Sequence, residues 1–471
     1  MPFNSIEYIA FLLLIVGTNF LLKKNQINYL LILSSSLFIG LYNIEALLFL
    51  FLSVCVTYLL YRKIENCNKD KLKKLYYRSG IFINIFFLIS LKFIEKKSFE
   101  TFNTESILVF IGISFYSLQN IAFLTDSYFK RLKFKTTFLE FSLYAVFFPK
   151  ILTGPIEFPK EFIPQIQSLN DRKQLLIEGS QRILLGLVKK IVIADRLAEL
   201  VHYNFDLETS GFGVTNLVVA AIFTFQLYFD FSGYTDIAIG SSKMLGIDLK
   251  ENFQFPLGSK SITDFWRKWH ISLTSWLTNY IFYPLSFRMR KWNKIGVIIA
   301  IIITFLISGI WHGFALTFLM YALLHSLYLI IELITQNQRE KFKQLIPNTI
   351  HTIISTLITF NLVSLSLIFF RSESLNKAIF ILKSIFDYKQ FFPPNWERDF
   401  FAKLATGGEL DILFNFFVTS ILLLFMLLLE KKIRTIIQKN NFNWFYFTIC
   451  ILVILMFGVF KSRDQFIYSQ F

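Results

Sequence analysis

The run Lys294-Ile295-Gly296-Val297-Ile298-Ile299-Ala300-Ile301-Ile302-Ile303-Thr304-Phe305-Leu306-Ile307-Ser308-Gly309-Ile310-Trp311-His312-Gly313 decides the fold class. No charged side chain interrupts it between Lys294 and His312, and an α-helix needs about 20 mostly apolar residues to cross a bilayer. Similar runs recur over 8–22, 28–42, 44–61, 79–94, 106–125, 139–153, 214–230, 315–334, 350–370, 412–429 and 444–460. Of the 471 residues 54% are hydrophobic, 58 are Phe and 17% are charged, against about 25% charged in soluble domains. The expected fold is therefore all-α: a polytopic integral membrane protein of roughly ten to thirteen transmembrane helices, with further interfacial or re-entrant helices around a central cavity. Residues 8–22 lack a preceding basic region and a small-residue cleavage site, so they read as a first span rather than a cleaved signal.

The formal net charge of +16 raises the question of nucleic acid, but the cations sit in short loops between apolar runs, where Lys and Arg fix orientation by staying in the cytoplasm. Lys23 and Lys24, the cluster from Arg62 to Arg78, Lys130 to Lys135, Arg288 to Lys294, Arg339 to Lys343 and Lys431 to Lys439 mark that side. The N-terminus, the acidic 387–411 segment and the C-terminal tail then fall outside. No nucleic-acid partner is expected. Cys55, Cys67 and Cys450 are scattered without zinc or disulfide spacing, and no phosphate loop or His-Glu-x-x-His pattern is present. No metal site is expected.

The chain shows no internal repeat or linker, and 1–471 is expected to form one membrane-embedded domain. Its central block, 154–313, breaks the regular alternation. The stretch 175–196 carries Arg182, Lys189, Lys190, Asp195 and Arg196 and is expected to lie in the interface or line a cavity, because such charges cannot face lipid tails. Irregular backbone at membrane depth needs protein or water around it, so the site is sought here.

Of the five histidines, His312 stands between two long apolar runs, where an ionisable group is a functional hypothesis by default; the alternative is a histidine hydrogen-bonded between helices. Roughly 18 residues at ~1.5 Å each from the basic loop place it about 27 Å along its helix, towards the outer half of the membrane. Gly309 and Gly313 beside it permit close approach of a backbone or a substrate. In Ser261-Ile262-Thr263-Asp264-Phe265-Trp266-Arg267-Lys268-Trp269-His270-Ile271-Ser272-Leu273 a capping-box-like start predicts one helix, with His270 four residues after Trp266. Trp266, Arg267, Lys268 and Trp269 read as headgroup-level anchors; His270 reads equally as a site residue or a structural one. His202, His325 and His351 are assigned structural roles. Asp230 and Asp236 either orient a base or bond backbone donors at a helix break near Gly233.

Together these segments make the chain resemble the membrane-bound O-acyltransferase family, and within it the bacterial alginate and peptidoglycan O-acetyltransferases and teichoic-acid D-alanyl transfer proteins. The resemblance runs through Phe147-Phe148-Pro149-Lys150, Gly154-Pro155-Ile156, Gly186 to Asp195, Asp230 to Asp236, Phe265 to Leu273 and Trp311-His312-Gly313. It implies a catalytic His312 in a pore-like cavity with His270 close by, and Trp311, Trp266, Arg267, Trp269, Asp230 and Asp236 as cavity or substrate-binding candidates. It also implies an acyl relay at Tyr468 in the aromatic tail 461–471, although Ser469 replaces the usual Phe. Two other positions depart from relatives: Thr278-Asn279 where Arg-Asp is usual, and Pro284 to Arg288 without the alginate-type Leu-Gly-Gly.

The implied activity is transfer of an acyl group, most simply acetyl, from a cytoplasmic-side acetyl-CoA or other acyl thioester, with no bound cofactor. The implied acceptor is a hydroxyl of an extracytoplasmic envelope polysaccharide or carrier, and the implied partner a periplasmic or membrane-anchored SGNH-hydrolase-like acyltransferase in the bacterial inner membrane. D-Alanyl transfer, a proton-coupled transporter or flippase, and a non-catalytic scaffold are the rival readings.

Overall fold

The computed structural model describes residues 2–98, 107–152, 154–168, 173–206, 213–391, 409–438 and 444–460. All regular elements among them are helical: α1 (Ile6–Leu21), α2 (Lys24–Tyr42), α3 (Ile44–Asn66), α4 (Asp70–Ser98), α5 (Ile107–Tyr128), α6 (Phe138–Val146), α7 (Phe148–Ile151), α8 (Pro159–Gln167), α9 (Lys173–Leu187), α10 (Asp195–Asp206), α11 (Gly213–Met244), α12 (Ile262–Lys268), α13 (Ile271–Leu277), α14 (Tyr283–Arg288), α15 (Asn293–His312), α16 (Leu316–Ile334), α17 (Gln336–Leu345), α18 (Asn348–Arg371), α19 (Leu375–Phe386), α20 (Tyr388–Phe391), α21 (Glu409–Gln438) and α22 (Trp444–Phe457). Their starts follow local chemistry. Ser5 Oγ accepts from the Tyr8 amide at 3.1 Å, Asn43 Oδ1 from Ala46 at 2.9 Å, and Thr137 and Glu140 form a reciprocal capping box.

Five helices, Ile44–Asn66, Gly213–Met244, Arg290–His312, Leu316–Ile334 and Asn348–Arg371, are long and apolar enough to cross a membrane, and three shorter ones, Ile6–Leu21, Gln26–Leu41 and Trp444–Phe457, are apolar. This polytopic helical architecture matches the expected class, with fewer qualifying spans among the described residues than hydropathy implied. The expected span 139–153 is not one helix: it divides at Phe147 into α6 and α7, both buried. Outer helices turn large apolar side chains outward; Leu48, Phe51 and Leu59 of α3 are each at least 60% exposed. Only a hydrocarbon solvent makes such a surface stable.

α11 is the axis of the buried interior. It runs unbroken through Gly233, so the anticipated helix break there is absent. Against it lies α9, continued by the π-helical turn Val188–Ala194. The two approach along paired glycines: a Cβ on Gly240 would stand 2.5 Å from the Gly179 carbonyl oxygen, and one on Gly186 2.6 Å from the Gly233 carbonyl oxygen. Seven-residue spacing on both helices keeps these glycines on one face. The charged stretch 175–196 lines a cavity, as expected, on its apolar side: Leu185, Val188, Val192 and Ile193 border a space of about 500 Å³ shared with α21 and α22, while its cationic side chains Arg182, Lys189 and Lys190 are buried against α11. Gly240→Val is expected to lower stability by about 1–3 kcal/mol through overpacking, seen as a lower thermal midpoint in detergent. Gly17→Ala, where no atom lies within 4 Å of the added carbon, should not lower the midpoint, since alanine is also the better helix former.

Candidate active site

α12 and α13 are two arms of a hairpin, not one helix. α12 stops at Lys268 because Trp269 is extended and His270 takes a left-handed conformation, φ 44°, which costs a non-glycine residue about 1–2 kcal/mol. The segment before it holds the corner in place. The Ile271 amide donates to the Asn252 carbonyl at 2.9 Å and the Gln254 amide to the Lys268 carbonyl at 3.0 Å.

The arms are tied at their far ends. Ser261 Oγ accepts from Asp264 N at 3.0 Å, but the expected reciprocal bond is replaced: Asp264 Oδ2 accepts from Lys260 N at 3.2 Å, and Glu332 of α16 takes the Ile262 and Thr263 amides at 2.6 and 3.1 Å. On the other arm, Trp276 Nε1 donates to the Leu118 carbonyl at 2.9 Å and Tyr280 OH to Asp126 Oδ2 at 2.9 Å. Glu332 lies near the end of α16, which leads into the basic helix α17, and Asp126 near the end of α5, which leads into the basic segment 130–135. The two arms meet at His270, which stands at the turn between them.

That turn meets the end of α15. The Trp311 indole lies between the two histidines, 4.9 Å from the His312 ring and 6.3 Å from the His270 ring, centroid to centroid. Phe115 and Phe231 complete the wall around His270 at 6.3 and 4.8 Å. Phe370, Phe318 and Tyr321 surround His312 at 5.3, 6.3 and 6.4 Å. His312 keeps 8% of its surface exposed and His270 1%, so His312 is the more reachable ring. The buried Trp311 Nε1 has no hydrogen-bond partner among the described residues; such a donor favours a polar guest. Gly309 lets the α16 backbone approach, since a Cβ there would stand 2.9 Å from the Phe318 carbonyl oxygen, and Gly313 makes room for the Phe318 ring, 2.6 Å from such a Cβ.

His325 is different. Trp266 Nε1 donates to its Nδ1 at 3.2 Å and Ser366 Oγ lies 2.9 Å from its Nε2. Its ring is engaged at both nitrogens and has the structural role expected, although with polar neighbours that the sequence did not disclose.

The two aspartates lie in an ion network instead of beside a histidine. Asp236 receives Arg182 at 2.7 Å and Lys189 at 2.8 Å. Glu251 receives Arg182 at 2.6 Å and Arg434 at 2.9 Å, and Glu430 receives Arg434 at 3.2 Å, Tyr228 at 2.7 Å and Lys189. Lys190 bridges Asp195 at 2.6 Å and Asp230 at 2.7 Å. Burial acts to raise the Glu251 carboxyl, but the guanidinium groups of Arg182 and Arg434 hold it below its ordinary value.

Comparison with known proteins identifies the family. Residues 82–370, more than half of the chain, match the membrane-bound O-acyltransferase family. The chain belongs to that family. It is 29% identical to a peptidoglycan O-acetyltransferase of Helicobacter pylori over 94% of this chain and 91% of that protein. It is also 30% identical to a probable alginate O-acetylase AlgI of Pseudomonas syringae (80% and 74%) and to a teichoic acid D-alanyltransferase of Bacillus subtilis (55% and 68%). As a membrane-bound O-acyltransferase it is an acyltransferase and a multi-pass protein of the bacterial cytoplasmic membrane.

Within this family member the structure brings His312, Trp311 and His270 together. Trp269 is buried against Phe253 and Phe265, so it is not a headgroup anchor; Trp266 is half-buried with its indole N–H on His325, and Arg267 is exposed. Tyr468 and the rest of the tail 461–471 lie outside the described residues, as does the His202 side chain, whose backbone is helical instead of a polar connection. His351 lies 3.4 Å from Ser355 within α18. Among the residues that sequence reading missed are Asn252, Glu332 and Glu430. Glu430 had a usable signal, a lone acid after Leu427-Leu428-Leu429; the other two had none. Asp236→Ala, which leaves buried cations uncompensated, is expected to cost about 3–5 kcal/mol, measured as loss of folded protein from membrane extracts, with Asp236→Asn losing less.

Proposed function

We propose that this chain transfers an acyl group, most simply acetyl, from acetyl-CoA or another acyl thioester on the cytoplasmic side to a hydroxyl of an extracytoplasmic envelope polysaccharide or carrier. The observation that carries this reading is the Trp311 indole held between His312 and His270. An imidazole nitrogen of His312 takes the proton of the acceptor hydroxyl, whose oxygen then attacks the thioester carbonyl carbon. The carbon–sulfur bond breaks and the proton returns to the leaving thiolate. The Trp311 N–H is a donor for the carbonyl oxygen as it becomes an oxyanion. His270 assists by binding or by handling protons, while Asp230 and Asp236 hold the scaffold.

In this reading the chain is one domain of roughly ten to thirteen spans, and an SGNH-hydrolase-like partner completes delivery. The names of the relatives, two O-acetyl transfer proteins and a D-alanyltransferase, support an ester-forming role. A relay through Tyr468 rests on its match to the family's C-terminal motif.

The test is the ester content of envelope glycans from cells with and without the protein. His312→Ala is expected to reduce ester formation by about 10²–10⁴-fold at unchanged membrane level. Unchanged esters in that variant would overturn the reading, and released D-alanine in place of acetate would change the acyl group assigned.

A further inference from the structure

Asn252 lies in the segment between α11 and α12, outside every motif that sequence reading selected, and it is fully buried. Its side-chain oxygen, Oδ1, meets three groups: Ser272 N at 3.1 Å, Ser272 Oγ at 2.9 Å and His270 Nδ1 at 3.2 Å. The first of these fixes the orientation of the amide. A backbone N–H is only a donor, so the atom facing it must be the oxygen, and a flipped amide would set two donors against each other. With Oδ1 there, the nearby ring nitrogen of His270 can only donate. The proton of the neutral imidazole is therefore on Nδ1 and the lone pair on Nε2, on the ring that packs against Trp311 and Phe231.

His325 provides the internal contrast. There Trp266 donates to Nδ1, so the proton sits on Nε2 and is directed to Ser366. The two histidines are thus set to opposite tautomers by different partners.

We infer that Asn252 is a positioning residue that fixes His270 in its Nδ1-protonated form and presents Nε2 as the proton-accepting nitrogen beside Trp311. The same residue holds the backbone of the turn through its carbonyl, which accepts from Ile271 N, so ring and corner are set by one side chain and its own main chain. The consequence for activity rests on the acyl-transfer reading above; the tautomer does not.

The direct test is solid-state nitrogen-15 spectroscopy of the full chain in lipid, labelled at the imidazole nitrogens, at mildly alkaline pH. The His270 signals are identified by their loss in His270→Gln. The wild-type protein is expected to show a protonated Nδ1 and an unprotonated Nε2 at His270, and Asn252→Leu to lose that preference. An Nε2-protonated His270 in the wild type, or an unchanged tautomer in Asn252→Leu, overturns the inference, and the wild-type spectrum alone decides if the variant does not fold. In cells, Asn252→Leu at normal membrane level should lower ester formation roughly 10–100-fold, as when the partner fixing a histidine is removed elsewhere, and Asn252→Asp, which keeps the acceptor oxygen, should retain most of it. Equal loss in Leu and Asp variants would mark a purely structural residue and overturn the positioning role. Ester formation insensitive to His312→Ala would instead sink the acyl-transfer reading and leave the tautomer assignment standing.

Discussion

A charge in hydrocarbon must have a counter-charge or leave the membrane, and the interior of this protein is organised around meeting that demand. Arg182, Lys189 and Arg434 face Asp236, Glu251 and Glu430, three cations against three carboxylates, drawn from α9 and its π-turn, α11, the following loop and α21. Neighbouring residues on an α-helix point about 100° apart. Even so, Lys189 and Lys190 both reach acids of α11 from the widened π-turn. The glycine pairs at 179/240 and 186/233 bring the backbones close enough for these bridges to form. Electrostatics and packing here are one constraint, because the helices that carry the charges are also the ones that nearly touch.

Around this clamp the hairpin has a defined place. Glu251 belongs to the network and the next residue, Asn252, holds the His270 turn. The segment that anchors charge at one position orients an imidazole at the next. The aromatic wall of Phe115, Phe231 and Trp311 then joins α5, α11 and α15 around that ring, which makes the neighbourhood of His270 and His312 a meeting point of four parts of the chain.

Much of this was legible in the sequence. Long apolar runs gave the helical membrane class, and an isolated histidine between two such runs pointed to His312 because burial of an ionisable group is costly wherever the fold places it. What was not legible depended on partners distant in the chain. Asp230 and Asp236 carry no mark of their pairing with Lys190 or Arg434, and Arg434 read as a loop cation although it is buried in α21. The turn at His270 was hidden because Phe265 to Leu273 has good helical pattern; hydrogen bonds from residues 252–254 override it. The division of 139–153 was concealed in the same way, since an apolar run does not reveal whether it is one long helix or two short buried ones.

The Glu332 cap on α12 implies an order of events during synthesis. Residues 262–288 leave the ribosome before 316–334 exist, so the hairpin enters the membrane with the amides of Ile262 and Thr263 lacking the carboxylate that later receives them. Trp266 likewise waits for His325. The cap on α12 and the partner of Trp266 are therefore completed only once α16 has been made, so the hairpin is finished by a part of the chain that follows it.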